Sequence, residues 1–232
     1  MTSSPVAADV RDAPGWYGKL ATLGDFAQRR LPPEWVRLID AWLAGAMRDS
    51  RERMGERWLQ SYLTAPVLRY AWAPGVVDAQ WWFGVLMPSC DSVGRYFPLV
   101  ITHPRAQPPA DRIALDHLEL WYERLGQVAM RTLSDGEGSV ELLEAGLRDA
   151  PPWPTAVRTP CPPAQTGQHL RPAHMAPLSQ WLPALAAQDL VSRLTGCTVW
   201  WRANEAGGPD AVDIVQGLPD GTQFASLLSP GA

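Results

Sequence analysis

The spacing of hydrophobic positions changes several times along the chain, and each change marks an element. After Pro32-Pro33-Glu34, apolar residues recur at Trp35, Leu38, Ile39, Trp42, Leu43 and Ala46, which is the stripe of one helix face. Proline in the first turn forfeits no helical hydrogen bond, and Glu34 suits the positive end of the helix dipole. The charged run 48–57 reads as solvated. A shorter helix with Trp58, Leu59, Tyr62 and Leu63 is predicted to stop before Pro66. The spacing then drops to two. In 67–73, Leu68, Tyr70 and Trp72 alternate with Val67, Arg69 and Ala71, a strand with one face more buried than the other. Pro74-Gly75 makes a turn. Residues 81–87 (WWFGVLM) are apolar at successive positions, as in a central strand covered on both faces. Residues 96–102 (YFPLVIT) form a further strand, which Pro98 predicts to be an edge or a bulge. The short connections imply an antiparallel meander.

Helical spacing returns at Leu118, Trp121, Tyr122, Leu125, Val128, Ala129 and Thr132, and again over 139–148. Residues 15–20 (GWYGKL) read as a short opening strand leading to a turn at Gly24-Asp25-Phe26. Residues 1–14 are a loose tail. Residues 151–183 hold nine of the 23 prolines without sustained periodicity and read as an excursion, with a helix resuming near Leu182. Strands at 198–202 and 212–215 and a helical turn at 224–228 close the chain. No repeat of 20 to 50 residues is visible. One-striped helices need a sheet face to cover, and a doubly apolar strand needs cover on both sides. The expected fold is therefore α/β: a three-layer α/β/α sandwich with a mixed, largely antiparallel sheet flanked by helices. The expected organisation is a single domain over 15–232.

Composition narrows the function classes. In 232 residues, 46% apolar and 19% charged residues describe a globular chain. Twenty basic against 24 acidic residues give a net charge of −4, which removes the driving force for general nucleic-acid binding. Three cysteines, Cys90, Cys161 and Cys197, are too few for a disulfide framework. The N-terminus shows no basic segment followed by an apolar one, and no apolar run approaches the ~20 residues that span a bilayer. The expectation is a cytoplasmic protein without membrane insertion. Lys19 is the only lysine, and there are 12 tryptophans, which suit core packing.

Candidate chemistry is sparse. Gly136-Glu137-Gly138 follows a helix and lacks the third glycine of a phosphate loop. Cys161, His169 and His174 match no common zinc spacing. Ser89 follows the 81–87 strand and lies near Asp91, with His103 and His117 downstream. Its MPSCD context lacks the glycines of a nucleophile elbow, so Ser89 and Asp91 also fit a turn capped by short polar side chains. No catalytic, metal or cofactor residue is expected. The remaining constellation is Asp25 with Ser89, Asp91, Gly94 and Arg95. Arg95 near two carboxylates either forms a buried bidentate pair pinning two loops or belongs to an exposed recognition surface.

Four ordered blocks carry a family resemblance: GWYGKLATLGDF (15–26), IDAWLAGAM (39–47), YLTAPVLRYAWAPG (62–75) and GVLMPSCDSVGRYFPL (84–99). The chain resembles the TagF family, also called ImpM, of bacterial type VI secretion systems. The likeness covers residues 15 to about 104 and is looser at TVWWR and GLPDGTQFASLL. Ala21-Thr22 replaces a usual Pro-Ser, and Cys90 stands where a small aliphatic residue is common. The resemblance implies a non-enzymatic, cytoplasmic accessory protein that represses the secretion machine after translation by binding a component. It is linked to the threonine-phosphorylation branch of control and to the forkhead-associated scaffold protein of the system. It implies a three-layer sandwich and supplies no catalytic residues. The competing classes are a structural adaptor of the secretion membrane complex and a small hydrolase using Ser89.

Overall fold

A computed structural model describes residues 13–109, 112–134, 138–153, 186, 189–203 and 209–229. The elements, in chain order, are β1 (Gly15–Gly18), β2 (Ala27–Arg29), α1 (Pro33–Met54), a 3-10 turn (Gly55–Arg57), α2 (Trp58–Thr64), β3 (Leu68–Trp72), β4 (Trp81–Met87), β5 (Leu99–Arg105), α3 (Arg112–Arg131), α4 (Val140–Arg148), β6 (Cys197–Ala203), β7 (Pro209–Gln216) and α5 (Gly221–Leu228). Residues 189–194 are also helical. The tail to residue 12, the excursion from 154, the helix expected near Leu182, and Cys161, His169 and His174 lie outside the described residues.

The seven strands form one sheet in the order β2-β1-β5-β4-β3-β6-β7. Every pairing is antiparallel, so the sheet is not mixed as expected. β3, β4 and β5 are the predicted meander. β5, however, is an interior strand between β1 and β4, not an edge. Pro98 causes no conflict because it precedes the strand and owes the ladder no hydrogen bond. The three-residue strand β2 is not foreseen by the apolar pattern, since its AQR sequence pairs only by backbone with β1.

Alternating side chains feed two separate cores. One contains Leu68, Tyr70, Trp72, Trp82, Leu86, Val100 and Trp200 with the stripe of α1 (Trp35, Ile39, Leu43), Trp58 and Tyr62 of α2, and Phe224 of α5. The other contains Trp81, Phe83, Val85, Met87, Leu99 and Ile101 with Leu118, Trp121, Tyr122 and Leu125 of α3 and Leu143 and Leu147 of α4. β4 contributes to both, which is why its sequence shows no polar alternation. Tryptophan dominates the first core: Trp35 stacks on Trp72 with centroids 6.2 Å apart, and Tyr70 stacks on Trp72 at 4.2 Å. Such large rings need room. Gly84, opposite Tyr70 in the ladder, provides it. A Cβ there would lie 2.6 Å from the Tyr70 hydroxyl oxygen and closer still to the Ile101 carbonyl.

α1 continues through the charged run to Met54 and stops at Gly55, which has φ +57°. Ser50, on the inner side of that run, is buried and accepts the Trp58 indole N–H at 3.0 Å. The chain's closing helix is longer than the predicted turn. Asp220 caps it by accepting from the Thr222 and Gln223 amides, and Gln223 returns a bond to the Asp220 amide.

Candidate functional site

The motif residues lie on two loops at one end of the sheet, following β1 and β4. β1 ends at Gly18, whose φ of +139° keeps the chain against Pro98, where no side chain fits. The next residue is Lys19, the chain's only lysine, and it is buried. Its ammonium donates to an Asp91 carboxylate oxygen and sits 4.7 Å from the centre of the Phe26 ring.

Asp91 organises the second loop. One carboxylate oxygen accepts the backbone N–H groups of Val93 (3.1 Å) and Arg95 (2.8 Å), and the other accepts Lys19 Nζ and Arg95 Nε (2.7 Å). Its own N–H donates to the Arg95 carbonyl at 3.1 Å, and its carbonyl accepts from Gly94 at 3.0 Å, which closes a tight turn. Gly94 has φ +80°, a conformation glycine adopts freely. Burial alone would raise the Asp91 carboxyl pKa. The hydrogen bonds from Lys19, from the Arg95 backbone and side chain and from Val93 outweigh it and hold the group well below the ordinary carboxylate range.

Further bonds stitch this loop to the one after β1. The Ser89 hydroxyl donates to the Lys19 carbonyl at 2.8 Å, the Ser92 amide to the Leu23 carbonyl at 2.9 Å, and Arg95 Nη2 to the Gly24 carbonyl at 2.6 Å. From below, the buried Tyr62 hydroxyl bonds both backbone groups of Ser89, accepting its N–H at 3.0 Å and donating to its carbonyl at 2.9 Å. Phe26 stacks on Tyr17 with centroids 5.8 Å apart and meets the edge of Phe97 at 4.8 Å.

Four of the five motif positions therefore come together: Ser89, Asp91, Gly94 and Arg95. Asp25 stands apart, exposed, its carboxylate accepting the adjacent Phe26 amide. Arg95 does not bridge two carboxylates. It is 60% exposed and meets Asp91 alone, while the fully buried ion pair is Lys19–Asp91. The spacing Asp91–Arg95 is visible in sequence, but the partner 72 residues away is not. The one signal that could have found it is a solitary lysine directly after an apolar strand. Tyr62, which the spacing marks only as part of a helix stripe, gives no local sign of this role either.

The Ser89 side chain is buried and committed to a backbone carbonyl, an arrangement suited to fixing a loop rather than to attacking a substrate. Among the described residues, no group of three or more His, Cys, Asp and Glu side chains could hold a metal ion. Also among them, no helix is long and apolar enough to cross a membrane. The outward-facing residues are Phe26, Val93, Asp25 and Arg95, a mixed apolar and charged surface carried on a rigid base.

Comparison with known proteins agrees with the motif blocks. The chain is similar over 94% of its length to PA0076 from Pseudomonas aeruginosa PAO1, whose solved structure it matches with a TM-score of 0.70 and 36% sequence identity, over 94% of that chain. No curated protein matches it. The model of the TagF N-terminal domain, described as type VI secretion system-associated, matches residues 15–149, more than half of the sequence and all of both loops. The chain belongs to the TagF family of type VI secretion system-associated proteins.

Proposed function

We propose that this protein is a non-enzymatic regulator that represses a type VI secretion system after translation by binding a cytoplasmic component of the machine. The forkhead-associated scaffold is the partner that the resemblance implies. On this reading the protein is cytoplasmic and acts as a single three-layer α/β/α unit over 15–232. The paired loops form its contact surface.

The observation that carries the reading is the division of labour around Asp91. Lys19, Ser89, Asp91 and Tyr62 are buried and bonded to one another or to backbone, so the loops are fixed before any partner arrives. Phe26, Val93 and Arg95 point outward from them. A preformed surface with an aromatic ring and an arginine is what a protein interface uses as anchors, because little conformational freedom is lost on binding.

The test is affinity purification of the tagged chain from its native bacterium, alongside the Arg95→Glu variant. The expected result is recovery of the scaffold with the wild type and its loss with the variant. A folded variant that binds and represses normally would remove the loops from the interface. Deletion of the gene distinguishes a repressor, whose loss raises secretion, from a structural adaptor, whose loss abolishes it.

A further inference from the structure

The two edges of the sheet are finished differently. β2 ends after three residues, and Arg30 then turns the chain aside with φ +57°. The Arg30 guanidinium is held by Glu144 at 2.6 and 2.9 Å and by the Pro14 carbonyl at 2.8 Å. A strand so short, followed at once by a pinned turn, presents little for another strand to pair with. β7, at the opposite edge, runs for eight residues and, among the described residues, pairs with β6 alone. It contains no lysine or arginine, and Asp213 is its only charge from Ala211 to Gln216. Its irregularity, a register shift between Trp201 and Ala203 of β6, lies towards the Pro209 end.

The ladder fixes which backbone groups of β7 are free. Gly217 donates to the Gly196 carbonyl at 2.7 Å, and on the far side of β6 Ala73 donates to the Cys197 carbonyl at 3.0 Å. Bonded pairs alternate in an antiparallel ladder, so Asp213 and Val215 turn their N–H and C=O groups to β6 while Val212 and Ile214 turn theirs outward. The side chains divide as well. Asp213 and Val215 lie beside Trp200 and Thr198 on the α5 side. Val212 and Ile214 lie beside Trp201 and Val199 on the α3 side, where Trp201 meets the Tyr122 ring at 5.0 Å. These two β-branched residues are 53% and 61% exposed, which is costly for an edge unless a strand covers it.

We propose that β7 is the interface of a homodimer, in which two copies join antiparallel, edge to edge, into one continuous sheet. Every ladder within the chain is antiparallel, and a two-fold axis perpendicular to the sheet extends that pattern. The axis keeps each residue on its own face, and charge selects the register. With Val212 opposite Val212 of the second copy, Asp213 faces Ala211, and the exposed apolar residues gather on the α3 side. Arg202 donates to the Ser229 carbonyl at 2.9 Å, so it turns to the α5 side, as Asp213 does. It has no carboxylate partner among the described residues and offers the incoming Asp213 a cation beyond the small Ala211. Placing Asp213 on the axis instead would set like charges directly opposite. Because only one edge is open, association closes at two copies and builds no filament. β3 and β6 stand between β7 and β4, so the interface does not depend on the role of the Asp91 loops.

The test is sedimentation velocity of the full chain over a wide concentration range, with amide hydrogen exchange read residue by residue. The expected result is a reversible rise from 25.5 kDa to twice that mass, with the Val212 and Ile214 amides gaining protection as the dimer fills. Ile214→Pro removes an outward donor without touching the β6 ladder, so the monomer is expected to fold. It should weaken association roughly thirtyfold or more, the worth of the two bonds that a pair of prolines removes. Should the proline disturb folding, Ile214→Lys replaces it. Val93→Lys, on the Asp91 loop, leaves the dimer unchanged. A monomer at every concentration, species beyond the dimer, or a dimer that survives in the folded Ile214 variants would overturn the assignment. So would protection of Val212 and Ile214 that persists on dilution, which would give the edge to a segment of the same chain.

Discussion

Removing one oxygen atom from Tyr62 tests whether the loop around Ser89 is held from below. In Tyr62→Phe the ring stays in the core, stacked on Trp58 with centroids 5.0 Å apart, so packing is preserved. Both bonds to Ser89 are lost. Their consequences differ. The Ser89 carbonyl keeps a partner, because the Phe97 amide donates to it at 3.0 Å. The Ser89 amide loses its partner in a buried place. Two net hydrogen bonds at roughly 1 kcal/mol each, with one orphaned donor adding up to about 2 more, put the cost at about 2–4 kcal/mol. In a chain this long that lowers Tm by roughly 4–16 °C. Urea denaturation monitored by tryptophan fluorescence measures the stability, and hydrogen exchange at the Ser89 amide measures the local effect. Tyr122→Phe serves as a comparison, since it removes a single bond, to the Tyr70 carbonyl at 2.6 Å, on the other side of the sheet. A loss below about 1 kcal/mol, with Ser89 exchange unchanged, would mean that Tyr62 does not hold the loop and that the buried bonds are incidental.

Three further outcomes follow from the same geometry. Asp91 binds protons less readily in the folded than in the unfolded chain, so its contribution is complete above its ordinary pKa of 3.8 and is lost as pH falls below it; urea midpoints from neutral to acid pH should decline there, and Asp91→Asn should lower stability at neutral pH while flattening that decline. Lys19, being the only lysine and buried, should resist amine-directed acylation in the native state and react in urea, as read by peptide mass spectrometry; rapid native modification would show that the Asp91 pair opens. Gly84→Ala should destabilise by about 3 kcal/mol or more, at the upper end of overpacking costs, because the added carbon meets both a ladder carbonyl and the Tyr70 ring; an unchanged melting curve would show that Tyr70 can move aside.

The buried pair bears on how any Arg95 variant should be read. Arg95 and Lys19 donate to the same carboxylate oxygen, but Arg95 is largely in solvent. Replacing it leaves Asp91 with Lys19 and two backbone amides, so the turn is expected to survive, and a binding defect then reports on the surface. Replacing Lys19 leaves a buried carboxylate short of its buried cation, and any defect there reports on folding first. This asymmetry makes Arg95 the informative position for recognition and Lys19 the informative one for architecture.

Features that depend on near neighbours are legible in the residue pattern. The stripe from Trp35 to Ala46 specifies a helix with one buried face, and α1 presents that face to the tryptophan core. The unbroken apolar run 81–87 specifies a strand covered on both sides, and β4 feeds both cores. Four motif blocks sufficed for the family. Which strands meet is set by the packing of the whole chain. β1, first in the chain, pairs with β5, and β6, near the end, joins β3, because backbone pairing is indifferent to sequence distance and leaves no local periodicity. β2 formed for the same reason, from three residues with no apolar signature. Pro98 signals an edge or a bulge in sequence, yet marks neither, because a proline one residue before a strand looks the same in sequence as one inside it. At the candidate site the turn chemistry of Asp91, Gly94 and Arg95 was legible, since the bonds that close the turn run within five residues, while the Arg95 bond to the Gly24 carbonyl was not. Its buried cation was not. Lys19 meets Asp91 only because β5 brings the end of β1 beside the end of β4, and a charge chooses its partner by where the fold places it, not by where it stands in the chain.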